Sequence, residues 1–512
     1  MPGIIRNLNR REFTATAAAT AAATALSVQP LSGQEATPAG SSSNASADIQ
    51  IDVVATGLAD PRFITTDGNT VYFTESGTGG DTAVFEIAGE GTPEPTSPVS
   101  QRGTTGKVSR LDADGTVTVV ADGFQSYTFG GNGEIVGAAG IALDGNGKAY
   151  VAVGAPGPFI AHIELTGEEN ALFEIDLASG EKRLVADLSP WEINENPDPM
   201  TIDSNLYGCA YREGVVYIAD AGGNSILAVD VDSGEISTFA VPGGFEAPFL
   251  GDAGNPLRQG ENSIDSVPSG IALGPDDRFY VTYVTGGPFP AGFAPIDAFT
   301  VSGERSTFAS GLSMVTDVAF SSDGTAYAVM LSTDFINGAP GVVVRLSEGG
   351  DHTVVLDGLQ VPNGIAFDAN DTMYLTHKAS FQPIDGGELL RVTGVTSATG
   401  YPFALPGDAE ADATPLTESS DATLAVHVEM GDMYFEPAEI TIPSDTDVVF
   451  TFENVGFMQH DFFIHEPEVN SGVLAGGQTA ETILNMPPGT YEFWCTQIGH
   501  REAGMIGTLI VE

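Results

Sequence analysis

Short apolar runs with polar residues at alternate positions recur along this chain, and six of them carry a tyrosine at the same place. They are Val71-Tyr72-Phe73, Ala149-Tyr150-Val151, Val216-Tyr217-Ile218, Phe279-Tyr280-Val281, Ala326-Tyr327-Ala328 and Met373-Tyr374-Leu375. A period of two is the signature of a strand with one face buried. Most of the six follow a Gly or Asp turn such as Asp323-Gly324, and often, before it, a small apolar strand such as Gly140-Ile141-Ala142, Gly270-Ile271-Ala272 or Gly364-Ile365-Ala366. Each is usually followed by a hairpin with its own turn, as at Asp114-Gly115 and Ser233-Gly234. The unit is thus about four strands, and such a sheet buries both faces only against neighbouring copies of itself. The pattern predicts a six-bladed β-propeller over residues 48–395. Residues 48–54 and 386–395 are expected to supply the strands that close the ring and protect its sheet edges.

Wider tyrosine spacings early in the repeat predict insertions at 78–105, 122–136, 189–204 and 242–265, and loops of this length in a compact domain tend to be functional or disordered. Residues 396–420, with Gly400, Pro402, Pro406 and Pro415 among acidic and small residues, read as a linker. The β pattern then resumes, for example in Val448-Val449-Phe450-Thr451-Phe452, so a second, separately folding domain is expected over 421–512.

Composition supports an all-β protein of more than one domain. The chain of 512 residues is too long for a single core, and 63 Gly, 31 Pro and a charged fraction of only 17% favour turn-rich sheet over helix. Eighteen Lys and Arg against 69 Asp and Glu give a net charge of −51, which argues against nucleic acid and anionic membranes as partners and favours cationic ones. Residues 1–30 read as an export signal: Arg10-Arg11 is followed by Glu12-Phe13 and an Ala/Thr-rich run too short and mild to span a membrane. The arginine pair resembles a twin-arginine signal, a route that carries folded proteins. Residues 31–47 read as a low-complexity tether. An exported protein is expected, whether periplasmic, at the cell surface or secreted.

The candidate chemistry lies near the C-terminus, where Cys495, His500 and Met505 fall at spacings of five and five, and His460 lies upstream within a β-patterned run. A thiolate, two imidazoles and a weak axial thioether form the ligand set of a blue-copper electron-transfer centre, so one type 1 copper is expected on His460, Cys495, His500 and Met505. Gly499 and Gly504 let the loop double back. His465 lies five residues from His460 and so on the opposite strand face, where it is read as a surface residue. With Cys495 assigned to metal, no disulfide remains for Cys209, which is read as structural.

Residues from about Ala422 resemble a cupredoxin of the plastocyanin, auracyanin and rusticyanin kind. The resemblance rests on Phe435-Glu436-Pro437, the His460 strand, Tyr491 to Cys495, the C-x4-H-x4-M loop and the closing strand Gly507 to Val511. Asp461 departs from the Asn that usually follows the first ligand in plastocyanins, and residues 444–447 depart from the usual Gly-Asp turn. The resemblance implies a Greek-key β-sandwich that carries one electron at a time to and from a redox partner protein. Upstream, Gly106-Lys107-Val108-Ser109-Arg110, Gly133 to Gly137 and Val153 to Gly157 resemble the ScyD/ScyE family of exported propeller proteins, a name that implies no settled reaction.

Six-bladed lactonases and lyases use carboxylates or His in the axial mouth, and Glu75, Asp220 and His377 each follow the tyrosine of their blade by three residues. They are the candidates for catalysis in the propeller, although no nucleophile with an adjacent base stands out. The expected function is exported blue-copper electron transfer with the propeller as docking or ligand-binding domain. Two alternatives are kept: a propeller enzyme of lactonase, lyase or dehydrogenase type with the copper domain as electron acceptor, and a propeller that binds a cell-surface ligand.

Overall fold

In the computed structural model the chain forms two compact units, the first ending at Pro406 and the second running from Gly407 to Glu512. The structure describes residues 49–405 and 424–512 apart from short gaps, the longest being 86–99, 129–133, 158–164, 336–338, 380–385, 455–459, 465–468, 475–478 and 496–504. The expected signal and tether lie outside the described residues. Among those described, no helix is long and apolar enough to cross a membrane.

The first unit is a six-bladed propeller. The blades' inner strands are Pro61–Thr66, Ala138–Leu143, Leu206–Arg212, Pro268–Leu273, Val315–Phe320 and Ile365–Phe367, and each touches the next until the sixth meets the first. The six tyrosine runs form the second strands, Val71–Glu75, Lys148–Val153, Val215–Asp220, Phe279–Tyr283, Ala326–Met330 and Met373–His377. Blade 6 takes its outermost strand from the start of the chain: Gln50–Leu58 pairs antiparallel with Gly387–Thr393.

Five inner strands slip register against their second strands at the same point, between Pro61 and Ile64, Ala138 and Ile141, Leu206 and Cys209, Pro268 and Ile271, and Val315 and Asp317. A bulge of this kind bends the strand and re-aims a side chain. The freed backbone groups are taken up by threonines of the second strand. Thr376 Oγ1 accepts from the Gly364 amide (2.7 Å) and donates to the Arg62 carbonyl of blade 1 (2.5 Å), while Thr74 accepts from Phe63 (3.1 Å) and donates to Ala139 of blade 2 (2.5 Å). In blade 5 the buried Asp317 does the equivalent work, accepting the amide of Ile365 in blade 6 at 3.0 Å.

Two expected insertions are not loops where they are described. Blade 1 lengthens instead into a hairpin of two twelve-residue strands, Ser100–Leu111 and Val117–Thr128, with the short strands Thr82–Phe85 and Ile135–Val136 added at its sides. Its repeated register shifts let it twist away from the blade. The insertion at 189–204 contains the helix Ser189–Glu195, and that at 242–265 a 3-10 helix, Pro248–Ala253, beside a two-stranded ribbon. The first residues of the expected linker are likewise structured: Tyr401–Pro402 pairs with the outer strand Thr353–Leu359 of blade 5, so the propeller unit extends beyond residue 395.

The second unit is a β-sandwich. One sheet runs Tyr434–Glu436, Leu424–Gly431, Val448–Asn454, Thr479–Leu484; the other runs Glu439–Ile442, Ile506–Val511, Gly489–Trp494, Phe463–Ile464, Val469–Asn470. Strict alternation buries Val448, Phe450, Phe452 and Asn454 on one face. The core is aromatic: Phe462 stacks on Phe493 at 4.4 Å, and Phe435 meets Phe493 edge-on at 5.1 Å.

The threonine stitch gives a direct test. Thr376→Val keeps the shape of the side chain but leaves the Gly364 amide and the Arg62 carbonyl without it, so the propeller should lose about 1–3 kcal/mol in urea unfolding. An unchanged midpoint would show that the stitch does not hold the ring.

Candidate functional site

The C-terminal cluster is built where the two sheets end. Gly489–Trp494 and Ile506–Val511 pair in register with Trp494 opposite Ile506, so the next residues, Cys495 and Met505, face each other across the neck of the loop. The Cys495 amide donates to the Met505 carbonyl at 3.1 Å, and both side chains are fully buried. His460 arrives from another segment and is fixed by a two-way backbone pair with Leu474 (2.9 and 2.8 Å), whose carbonyl also accepts from Asn454 Nδ2 at 2.7 Å. The imidazole is wholly buried, and its Nδ1 lies 3.8 Å from Cys495 Sγ.

Three of the four expected ligands thus meet in one dry pocket backed by Phe450, Phe452, Phe462 and Phe493. His500 lies outside the described residues, as does His465. The donor set suits a soft, one-electron metal: a thiol in contact with an imidazole, and a thioether, are all buried, and among the described residues the neighbouring carboxylate is Asp461, itself buried. Sequence reasoning missed the bracing by Asn454 and Leu474. The polar Asn454 at the end of an otherwise apolar buried face was the available signal, since a buried amide needs partners.

In the propeller, Glu75, Asp220 and His377 occupy equivalent second-strand ends, but each braces the segment that leads into its own inner strand. Glu75 accepts from the Ala59 amide (2.8 Å) and Ser109 Oγ (2.8 Å) and pairs with Lys107 at 3.2 Å. Asp220 accepts from Ser204 Oγ (2.5 Å) and the amides of Asn205 and Gly223 (both 2.9 Å). His377 Nε2 accepts from the Gln360 amide at 2.9 Å, leaving Nδ1 to donate to Glu388 at 3.0 Å. Burial holds the His377 ring below its usual basicity against the pull of Glu388. Cys209 is buried on an inner strand with its thiol 3.8 Å from the Tyr150 carbonyl, and burial pushes it up to about 12, so it is inert packing.

Asp220 also belongs to an acidic group with the buried Glu192 and Asp198 and the part-buried Asp203 and Asp265, in which Arg258 reaches Asp198 (3.2 Å) and Asp265 (2.5 Å). Burial, then repulsion from Asp220, pushes Glu192 up to about 8 and Asp203 up to about 7. Burial also raises Asp220 against the hydrogen bonds it accepts.

Residues 409–511 match the family described as Cupredoxin-like domain. Plastocyanin from Scenedesmus fuscus is 33% identical over 102 residues, which cover 18% of this chain and all of that protein. Chloroplastic plastocyanin from Chlamydomonas reinhardtii is 33% identical over 108 residues, 20% of this chain and 73% of that one. The copper-resistant cuproprotein CopI of Rubrivivax gelatinosus is 30% identical over 131 residues, 22% and 73% of the two chains.

The acidic group has a pH signature. Because Glu192 and Asp203 are raised in the fold, the folded state keeps protons that the unfolded chain releases above about pH 4. Their stabilising contribution is therefore full below that value and is lost as pH rises through about 7 to 8. Glu192→Gln, neutral throughout, should gain stability relative to the wild type between about pH 5 and 8. Urea unfolding followed through Trp191 fluorescence measures this, and a difference that stays flat with pH would refute it.

Proposed function

We propose, because this chain belongs to the cupredoxin family through residues 409–511, that it is an exported one-electron carrier with a single type 1 copper. The observation that carries this reading is the buried pair of His460 Nδ1 and Cys495 Sγ at 3.8 Å, with Met505 tied to Cys495 through the backbone. Cys495 would hold the metal as thiolate, His460 and His500 as imidazoles, and Met505 as a weak thioether donor. A copper ion so held supplies reversible exchange between Cu(I) and Cu(II). The protein's part is constraint: paired strands fix Cys495 and Met505, the Leu474 bridge fixes His460, and the phenylalanine core keeps water away. A site that does not rearrange between oxidation states has little to reorganise when the electron moves.

The propeller serves as a docking or ligand-binding domain, and its sequence rhythm supports a place among ScyD/ScyE-like exported proteins. Catalysis by Glu75, Asp220 and His377 is not favoured, since all three are engaged in bracing hydrogen bonds. The net charge of −51 favours a redox partner with a basic face, bound more weakly as salt rises.

Full-length protein reconstituted with copper should show an intense visible thiolate-to-copper band that Cys495→Ser abolishes. Met505→Leu should keep the band and raise the reduction potential, because loss of the thioether donor leaves a drier pocket that disfavours the more charged Cu(II) state. Wild type without the band, or Met505→Leu with no change in potential, would overturn the ligand assignment.

A further inference from the structure

The bulge of five inner strands brings Arg62, Ala139, Tyr207, Ser269 and Thr316 together at one end of the ring, with Asn363 of blade 6 beside them. The first five line a cavity of ≈190 Å³. Its walls come from the end of the blades where inner strands begin and second strands finish, and are mostly apolar: Val267, Val284, Phe289, Met314, Leu331 and Phe335. Phe289 and Phe335 meet edge to face at 5.4 Å. An apolar cavity of about 150 Å³ is enough to take benzene, so this one is of single-ring size.

The polar groups at the ring narrow the chemistry. Arg62 is buried, donating from Nε to Ser76 Oγ (3.2 Å), from Nη1 to Tyr207 Oη (3.0 Å), and from Nη2 to Asp60 Oδ2 (2.9 Å) and the Ile135 carbonyl (2.5 Å). A guanidinium has five N–H groups, so one on Nη1 is left. The neighbouring hydroxyls keep their protons within the wall: Tyr207 donates to Asn363 Oδ1, Ser269 to the Val315 carbonyl (2.6 Å), and Thr316 to the Asn363 carbonyl (2.7 Å). Asn363 is fully buried, and its Nδ2 has no partner in the structure. The cavity wall thus offers one spare donor, the Arg62 Nη1 N–H, and no spare hydroxyl proton. A ligand must bring an acceptor. It need not bring charge, because Asp60 already neutralises Arg62, and Glu134 adds further negative potential at the guanidinium.

We propose that the axial cavity binds a small, uncharged aromatic carbonyl compound, its ring among Phe289, Met314 and Phe335 and its oxygen accepting from Arg62. A carboxylate is disfavoured by Asp60 and Glu134, and a hydrocarbon leaves the spare Arg62 N–H unanswered, which a buried donor in low dielectric tolerates poorly.

Acetophenone, toluene and benzoate separate these cases on the full-length protein by saturation-transfer NMR and calorimetric titration. Acetophenone should bind saturably at one site. Toluene should bind at least about tenfold more weakly for want of one charge-assisted hydrogen bond, and benzoate should not compete. Ala139→Phe fills the cavity at the ring, and Ala221→Leu narrows it at a half-exposed wall position that the fold tolerates more readily. Both should abolish acetophenone binding, with the unfolding temperature of Ala221→Leu unchanged. The proposal is overturned by absent acetophenone binding, by equal affinity for toluene, by tighter binding of benzoate, or by binding that survives Ala221→Leu.

Discussion

Everything in the propeller depends on how closely six inner strands can approach one axis. At Gly208 an added Cβ would lie 2.6 Å from the Ser269 carbonyl oxygen, at Gly270 2.7 Å from that of Thr316, and at Gly364 2.6 Å from that of Arg62. Contact is therefore backbone against backbone, possible only without side chains. That intimacy strains the sheet, which responds with a bulge, and the bulge frees polar groups that Thr74, Thr282, Thr376 and Asp317 recover. The residue just before the tight contact is left beside the axis. The character of the cavity, one cation with its counter-charge in an apolar wall, is thus a by-product of closing the ring.

The cupredoxin domain solves the opposite problem. Its two sheets are held apart by bulk, with five phenylalanines filling the space, and its chemistry sits where that filling stops. Burying an imidazole and a thiol there is tolerable because each belongs to a strand end whose backbone is already paired. The aromatic core acts both as the adhesive of the fold and as the barrier that keeps the site dry.

What the sequence made legible follows the same division. The six tyrosine runs were readable because second strands are regular and alternate cleanly, and the facing of Cys495 and Met505 because a hairpin whose two arms pair in register sets their spacing. The axis-facing residues were hidden because the bulge breaks the period-two rule at that position, so counting from each tyrosine led to Glu75, Asp220 and His377. These do share one structural position, but their partners are the backbone amides of Ala59, Asn205 and Gln360, which no side-chain pattern records. The extension of the blade 1 hairpin back to Ser100 was likewise masked by Gly103, which read as loop but lies within a strand.

The closing strand sets an order of events. Among the described strands, Gln50–Leu58 pairs with Gly387–Thr393 alone, more than three hundred residues further along the chain. During synthesis this strand must wait until the last blade exists, its backbone groups unpaired meanwhile. Contacts of such long range are slow to form, and an unpaired strand is an invitation to pair wrongly. The propeller therefore completes itself as a clasp does, from both ends at once, and any cut between them leaves the ring open.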